Sequence, residues 1–175
     1  MRLNCCSTLT LVAITGLAIS LTSCAGYRLG ASKPKMMENV ESLSIPTMRN
    51  GTLLPRVEIL STNTLIKQFQ QDGTFQIARD EQADAVLLTE LSEVSRRSSR
   101  SVRDNVRATR EFVLTVFVDY QVLDLRTGEP LGGGTVTGST SFFVGSDVTQ
   151  EERIAIPRAI EEASVRLVSR LSSGW

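Results

Sequence analysis

The run Phe112-Val113-Leu114-Thr115-Val116-Phe117-Val118-Asp119-Tyr120-Gln121-Val122 decides the fold. Its even positions, Phe112, Leu114, Val116, Val118, Tyr120 and Val122, are all apolar or aromatic, while the odd ones include Thr115, Asp119 and Gln121. Successive side chains of an extended chain point to opposite faces. Alternation this long therefore predicts a central strand with one buried face. A sheet with one apolar face needs a second layer to cover it.

Reading toward the C-terminus, Asp124 to Pro130 holds Thr127-Gly128, a turn. The chain returns as a strand over Leu131 to Val144, with Val136, Phe142 and Val144 on one face. Gly132-Gly133-Gly134 invites a phosphate-loop reading, but a strand follows where such a loop needs a helix N-terminus. A bulge or bend is the expectation there. Thr149-Gln150-Glu151-Glu152 fits a capping box, and Ile156, Ile160, Ala163, Leu167 and Leu171 then line one face of a last helix. Pro157 either kinks that helix or marks where it restarts.

Reading toward the N-terminus, Ala83 to Val94 is a strand with Ala85, Leu87, Thr89 and Leu91 on one face. Val86 and Leu88 predict partial cover on the other. Arg79-Asp80-Glu81-Gln82 is a polar turn, and Phe75 and Ile77 mark a short strand. A helix is expected over Pro55 to Gln71, because proline suits the first helical position and Gly73 suits the stop. Ile59, Thr62, Ile66 and Phe69, with Leu65, are its expected core stripe. Arg49-Asn50-Gly51-Thr52 reads as a turn, although it contains a glycosylation sequon. Leu43 and Ile45 alternate with Ser42 and Ser44 in a first strand that Pro46 should end. The order β-α-β-β-β-β-α predicts an α+β, two-layer sandwich. Two helices pack on one face of a mixed four- to five-stranded sheet.

Leu21-Thr22-Ser23-Cys24 follows a short apolar run and offers small residues just before a thiol. It looks like a bacterial lipobox, in which the thiol takes a diacylglycerol group. The run Leu9 to Leu21 has 13 residues, whereas a spanning helix needs about 20. Arg2 supplies a positive n-region. The expected organisation is a signal peptide over 1–23, a lipidated N-terminus and tether over 24–38, and a single α+β domain over 39–175. Cys24 would carry covalent diacylglycerol and N-acyl lipid, and no other cofactor is expected.

Taking 1–23 from the 175 residues leaves 152, enough for one core. Arg2 leaves with the leader, so 18 Lys+Arg face 19 Asp+Glu, a formal net charge of −1. Cys5 and Cys6 leave too, and no disulfide can form within the domain. The chain has no histidine, which removes the commonest general base and the commonest metal ligand. With Cys24 consumed by lipid, no Cys/His zinc site can be built. No serine or carboxylate has an identifiable base beside it. The reading is therefore no enzyme, no catalytic residue and no metal.

Arg96, Arg97, Arg100, Arg103, Arg107 and Arg110 fall within fifteen residues, opposed there only by Asp104. The segment carries about +5 and the remainder of the processed chain −6. It lies between two long strands, so it is expected at a hairpin tip or on an extended β-ribbon. Almost no aromatic residue is interleaved, and no nucleic-acid partner is expected. Guanidinium groups pair bidentately with phosphates. These six could equally meet acidic walls of a protein partner, or form a solvated loop.

Several local features, in order, resemble the LPS-assembly lipoprotein family, LptE. Cys24 is followed by Gly26-Tyr27-Arg28-Leu29; Ile45-Pro46 leads to Asn50-Gly51-Thr52, then Pro55 and Glu58. Ala83-Asp84-Ala85-Val86-Leu87 opens a strand, and Asp124-Leu125-Arg126-Thr127-Gly128-Glu129-Pro130-Leu131 makes a hairpin. The resemblance covers nearly all of the processed chain. It implies an outer-membrane lipoprotein, anchored on the periplasmic side, that plugs and assists assembly of the lipopolysaccharide-exporting β-barrel. It also implies contact with lipopolysaccharide on its way to the cell surface. Ala25 after the cysteine resembles lipoproteins sent to the outer membrane. The chain lacks the long C-terminal extension of some relatives. A competing expectation is a periplasmic regulatory or secretion-associated lipoprotein of similar fold, such as a cell-wall synthase activator.

Overall fold

A computed structural model describes residues 33–99, 110–144 and 148–173 of the chain. Three long antiparallel strands carry the sheet: β4 (Ala85–Ser98), β5 (Arg110–Asp124) and β6 (Pro130–Val144). Three short ones, β1 (Ser42–Ser44), β2 (Arg49–Asn50) and β3 (Gln76–Ile77), complete it. The order is β3-β1-β4-β5-β6, with β2 paired to β4 as well. β1 and β2 run parallel to β4 along the flank that β5 leaves free. They take one interrupted strand position beside β4, broken at Pro46, which cannot donate, and β3 pairs with β1 on its outer side. The expected turn at Arg49-Asn50 thus also carries two residues of pairing, and β2 brings the strand count to six. The α+β class and the mixed sheet are as expected.

The alternation in β5 does what its pattern predicts. Leu114, Val116, Val118, Tyr120 and Val122 are all buried, and Phe112 packs against the same core. Two helices share that core: α1 (Val57–Asp72) and α2 (Val148–Ser173). Gly73 ends α1 at φ 72°, its N–H reaching the Phe69 carbonyl at 3.0 Å. A left-handed residue here favours glycine.

Four local expectations need correction. Pro55 does not open α1; Arg56 intervenes at φ 61° and the helix begins at Val57. The loop before it is closed by side chains, with Asn50 donating to the Leu54 carbonyl and the Leu54 N–H donating to Thr52. The buried stripe of α1 is Val57, Ser61, Thr62, Leu65 and Phe69, while Ile59 is 57% exposed. Thr149 is not a cap, because α2 already begins at Val148. Pro157 does not restart the helix, which continues through it. The carbonyl left without an N–H is that of Arg153. Both Arg153 and Pro157 lie on the exposed side, where water can satisfy it.

Gly138 sets how closely α2 sits on β6. A Cβ there would lie 2.0 Å from the Ala159 carbonyl oxygen and 2.4 Å from the Ala163 nitrogen. Helix backbone passes directly over strand backbone, which only glycine permits. Along the free edge of β6, α2 also supplies partners. Ser139 N–H donates to Glu162 at 2.6 Å, and Arg166 and Arg170 donate to the carbonyls of Thr137 and Thr135 at 3.0 and 3.2 Å. Side chains here block an edge that could otherwise pair with another strand.

Candidate functional site

The arginine segment begins on the far half of the β4–β5 ribbon. β4 runs four residues beyond the expected Val94, to Ser98. Pairing continues to Ser98 opposite Phe112, and Ser99 N–H reaches the Glu111 carbonyl at 2.9 Å. For Arg96 and Arg97 this is the extended-ribbon alternative.

A register shift between Leu91 and Glu93 decides where the charges go. Before it, odd positions of β4 face the helices. After it, even positions do, because Val94, Arg96 and Ser98 oppose Val116, Leu114 and Phe112. Arg96 is therefore on the helix side, and Arg97, opposite Val113, is on the open side. Arg96 meets Glu152 of α2 at 2.5 Å, and its guanidinium lies 5.7 Å from the Phe112 ring centroid. Phe112 in turn stacks on Phe142 at 5.9 Å. Arg97 is exposed and has no ion-pair partner among the described residues. Two neighbours in sequence thus differ in role. One is fixed against the core, and the other stands exposed on the open face. Arg110 opens β5 opposite Val144. Arg100, Arg103, Arg107 and Cys24 lie outside the described residues.

Beside Arg96, the start of α1 and the start of α2 enclose a groove of about 400 Å³. Leu54, Leu60 and Ile156 give it an apolar lining, with Arg56 and Arg153 alongside. Glu152 belongs both to this groove and to the Arg96 ion pair. The arrangement can take an apolar chain while offering guanidinium groups to an anion. Sequence reasoning missed this groove. Arg56 and Arg153 are 97 positions apart, and only the packing of α1 on α2 brings them together.

The opposite end of the ribbon is held by carboxylates. Asp84 accepts from Ser42 N–H at 3.0 Å, Ser42 Oγ at 2.8 Å and Glu41 N–H at 3.1 Å. The Ser42 backbone N–H, chiefly, then the Ser42 hydroxyl and the Glu41 N–H hold its pKa below the usual value, against a smaller opposing effect of burial. Asp124 is also lowered, first by the Arg126 N–H. Both carboxylates work in turns and strand ends. Among the described residues, no three His, Cys, Asp or Glu side chains group as a metal site. No helix among them is long and apolar enough to cross a membrane.

A family model described as "LptE: Lipopolysaccharide-assembly" matches residues 40–171. Among curated proteins none matches. Solved structures share the fold at low identity. A minor lipoprotein from Acinetobacter baumannii superposes with a TM-score of 0.51 at 18% identity, covering 77% of this chain and 94% of that one. A neuraminyllactose-binding hemagglutinin homolog from Helicobacter pylori gives 0.55 at 13%, covering 85% and 93%. A single-substitution variant of PelC from Paraburkholderia phytofirmans, a dodecamer, gives 0.50 at 14%, covering 81% and 95%.

Proposed function

Since the chain belongs to the LptE lipopolysaccharide-assembly family, we propose that it is an outer-membrane lipoprotein that plugs a lipopolysaccharide-exporting β-barrel and assists its assembly. Acyl groups on Cys24 hold it on the periplasmic side. It binds rather than transforms. It contacts lipopolysaccharide in transit through the arginine end of the β4–β5 ribbon.

The observation that carries the lipid contact is the groove beside Arg96. A phosphorylated lipid needs an apolar bed for its chains and guanidinium groups for its phosphates. Leu54, Leu60 and Ile156 supply the first, and Arg56 and Arg153 supply the second, while the exposed Arg97 stands on the other face of the ribbon.

The test is a pull-down of the full-length protein from detergent-solubilised outer membranes. A large β-barrel protein should accompany it. A cell-wall synthase or a secretion ring in its place would overturn the reading. For the lipid contact, Arg97, Arg100 and Arg103 changed together to Ala should weaken lipopolysaccharide binding and leave the melting temperature nearly unchanged. Equal binding at low and high salt would reject a phosphate contact.

A further inference from the structure

Among the described residues that line the groove between the helix starts, one carries a carboxylate, Glu152. The apolar lining and the guanidinium groups of Arg56 and Arg153 suit an amphiphile with a phosphate. Glu152 does not suit it. A negative side chain beside a phosphate weakens the hold, and more so where water is partly excluded. The Glu152 side chain is 25% exposed. Stability does not explain its presence. Its partner Arg96 keeps 43% side-chain exposure, and an ion pair so placed adds little to folding. Nor does Arg96 depend on Glu152 for its position. The Phe112 ring lies 5.7 Å from the guanidinium carbon, and Phe112 stacks on the buried Phe142. What the pair does is electrostatic. With Arg96 Nη1 at 2.5 Å from Glu152 Oε2, the two charges cancel on the groove wall. A third guanidinium thus stands beside the groove and is withheld from it.

We propose that Glu152 limits the affinity of this groove for a phosphorylated lipid, chiefly by keeping Arg96 from the phosphate. A protein that passes a lipid along must release it as well as take it, so a site on the path binds strongly enough to fill and weakly enough to empty. Arg56 and Arg153 alone give a moderate hold. Arg96 in addition would close a third side around the phosphate and slow its departure. Glu152 is thus a specificity-determining residue that acts by subtraction. The inference rests on the lipid contact proposed above and adds its regulation.

The experiment titrates the full-length protein, in nonionic detergent, with fluorescently labelled lipopolysaccharide and with the same lipopolysaccharide stripped of its phosphates by a phosphatase. Glu152→Gln should bind the phosphorylated form about fivefold or more tighter than the parent, mostly through slower dissociation. The stripped form should bind both proteins alike. Adding Arg96→Ala should reduce the gain to about twofold or less, because the two side chains act as one unit. Glu161→Gln removes the same charge from an exposed site about 13 Å further along α2 and should change nothing. A parent that does not tell the two lipids apart overturns the phosphate contact, and this inference with it. A parent that does, with no gain in Glu152→Gln, overturns this inference alone. So does a gain that persists without the phosphates, survives the loss of Arg96, or is matched by Glu161→Gln.

Discussion

The two ends of the β4–β5–β6 ribbon are built on opposite principles. At the end near Asp84 and Asp124, carboxylates and backbone groups are saturated. Three donors meet Asp84, and Leu125 N–H bonds the Asp84 carbonyl at 2.9 Å. At the other end, one arginine is fixed and its neighbour is free. Satisfied polar groups hold a shape. Unsatisfied charge on a ribbon costs stability unless a partner supplies the counter-charge. The first end is scaffold, and the second is where the contact proposed above would fall.

The largest expected effect tests the seat from which both ends extend. Gly138→Val should cost about 3 kcal/mol or prevent folding, because a strand side chain cannot share space with the Ala159 and Ala163 backbone. A thermal melt reads it, and an unchanged melting temperature would mean that α2 does not sit on β6 as described. Next comes the scaffold end. The folded pKa of Asp84 is depressed below 3.8, so the stability it contributes is fully present above about pH 4. That stability is lost as pH falls through the depressed value. Asp84→Asn should flatten this part of the acid unfolding curve while lowering stability at neutral pH. An acid limb identical to the parent's would show that Asp84 does not hold β1.

The smallest effects separate the two arginines. Arg96→Ala should cost at most about 1 kcal/mol, since its ion pair is half exposed and its ring contact modest. Arg97→Ala should cost nothing measurable in a denaturant titration. If the two proved equal, the register shift would not divide them as described. The comparison sharpens if lipopolysaccharide binding responds to Arg97 more than to Arg96.

Much of this was legible in the sequence, and the reasons differ by element. β5 was plain because six alternating apolar positions leave a strand one way to face. The α2 stripe was plain because its helical spacing persists for over four turns; all five expected residues are buried. The α1 stripe was less so. Ile59 is as greasy as Leu65, and only packing chose between adjacent faces. The start of α1 was misplaced because the loop is closed by side-chain bonds that no pattern of apolar residues encodes.

The candidate site divides along the same line. The cluster of arginines, the absence of histidine and the likeness to one family could be read from residue order alone, because they depend on composition and local spacing. Which arginine is spent on Glu152 and which stays free could not. That depends on one extra residue in β4, which moves the following side chains to the other face. The groove between the helix starts and the blocked edge of β6 are likewise tertiary facts. Each joins residues that are far apart in the chain, and only the closed packing of helix on sheet gives them a common place.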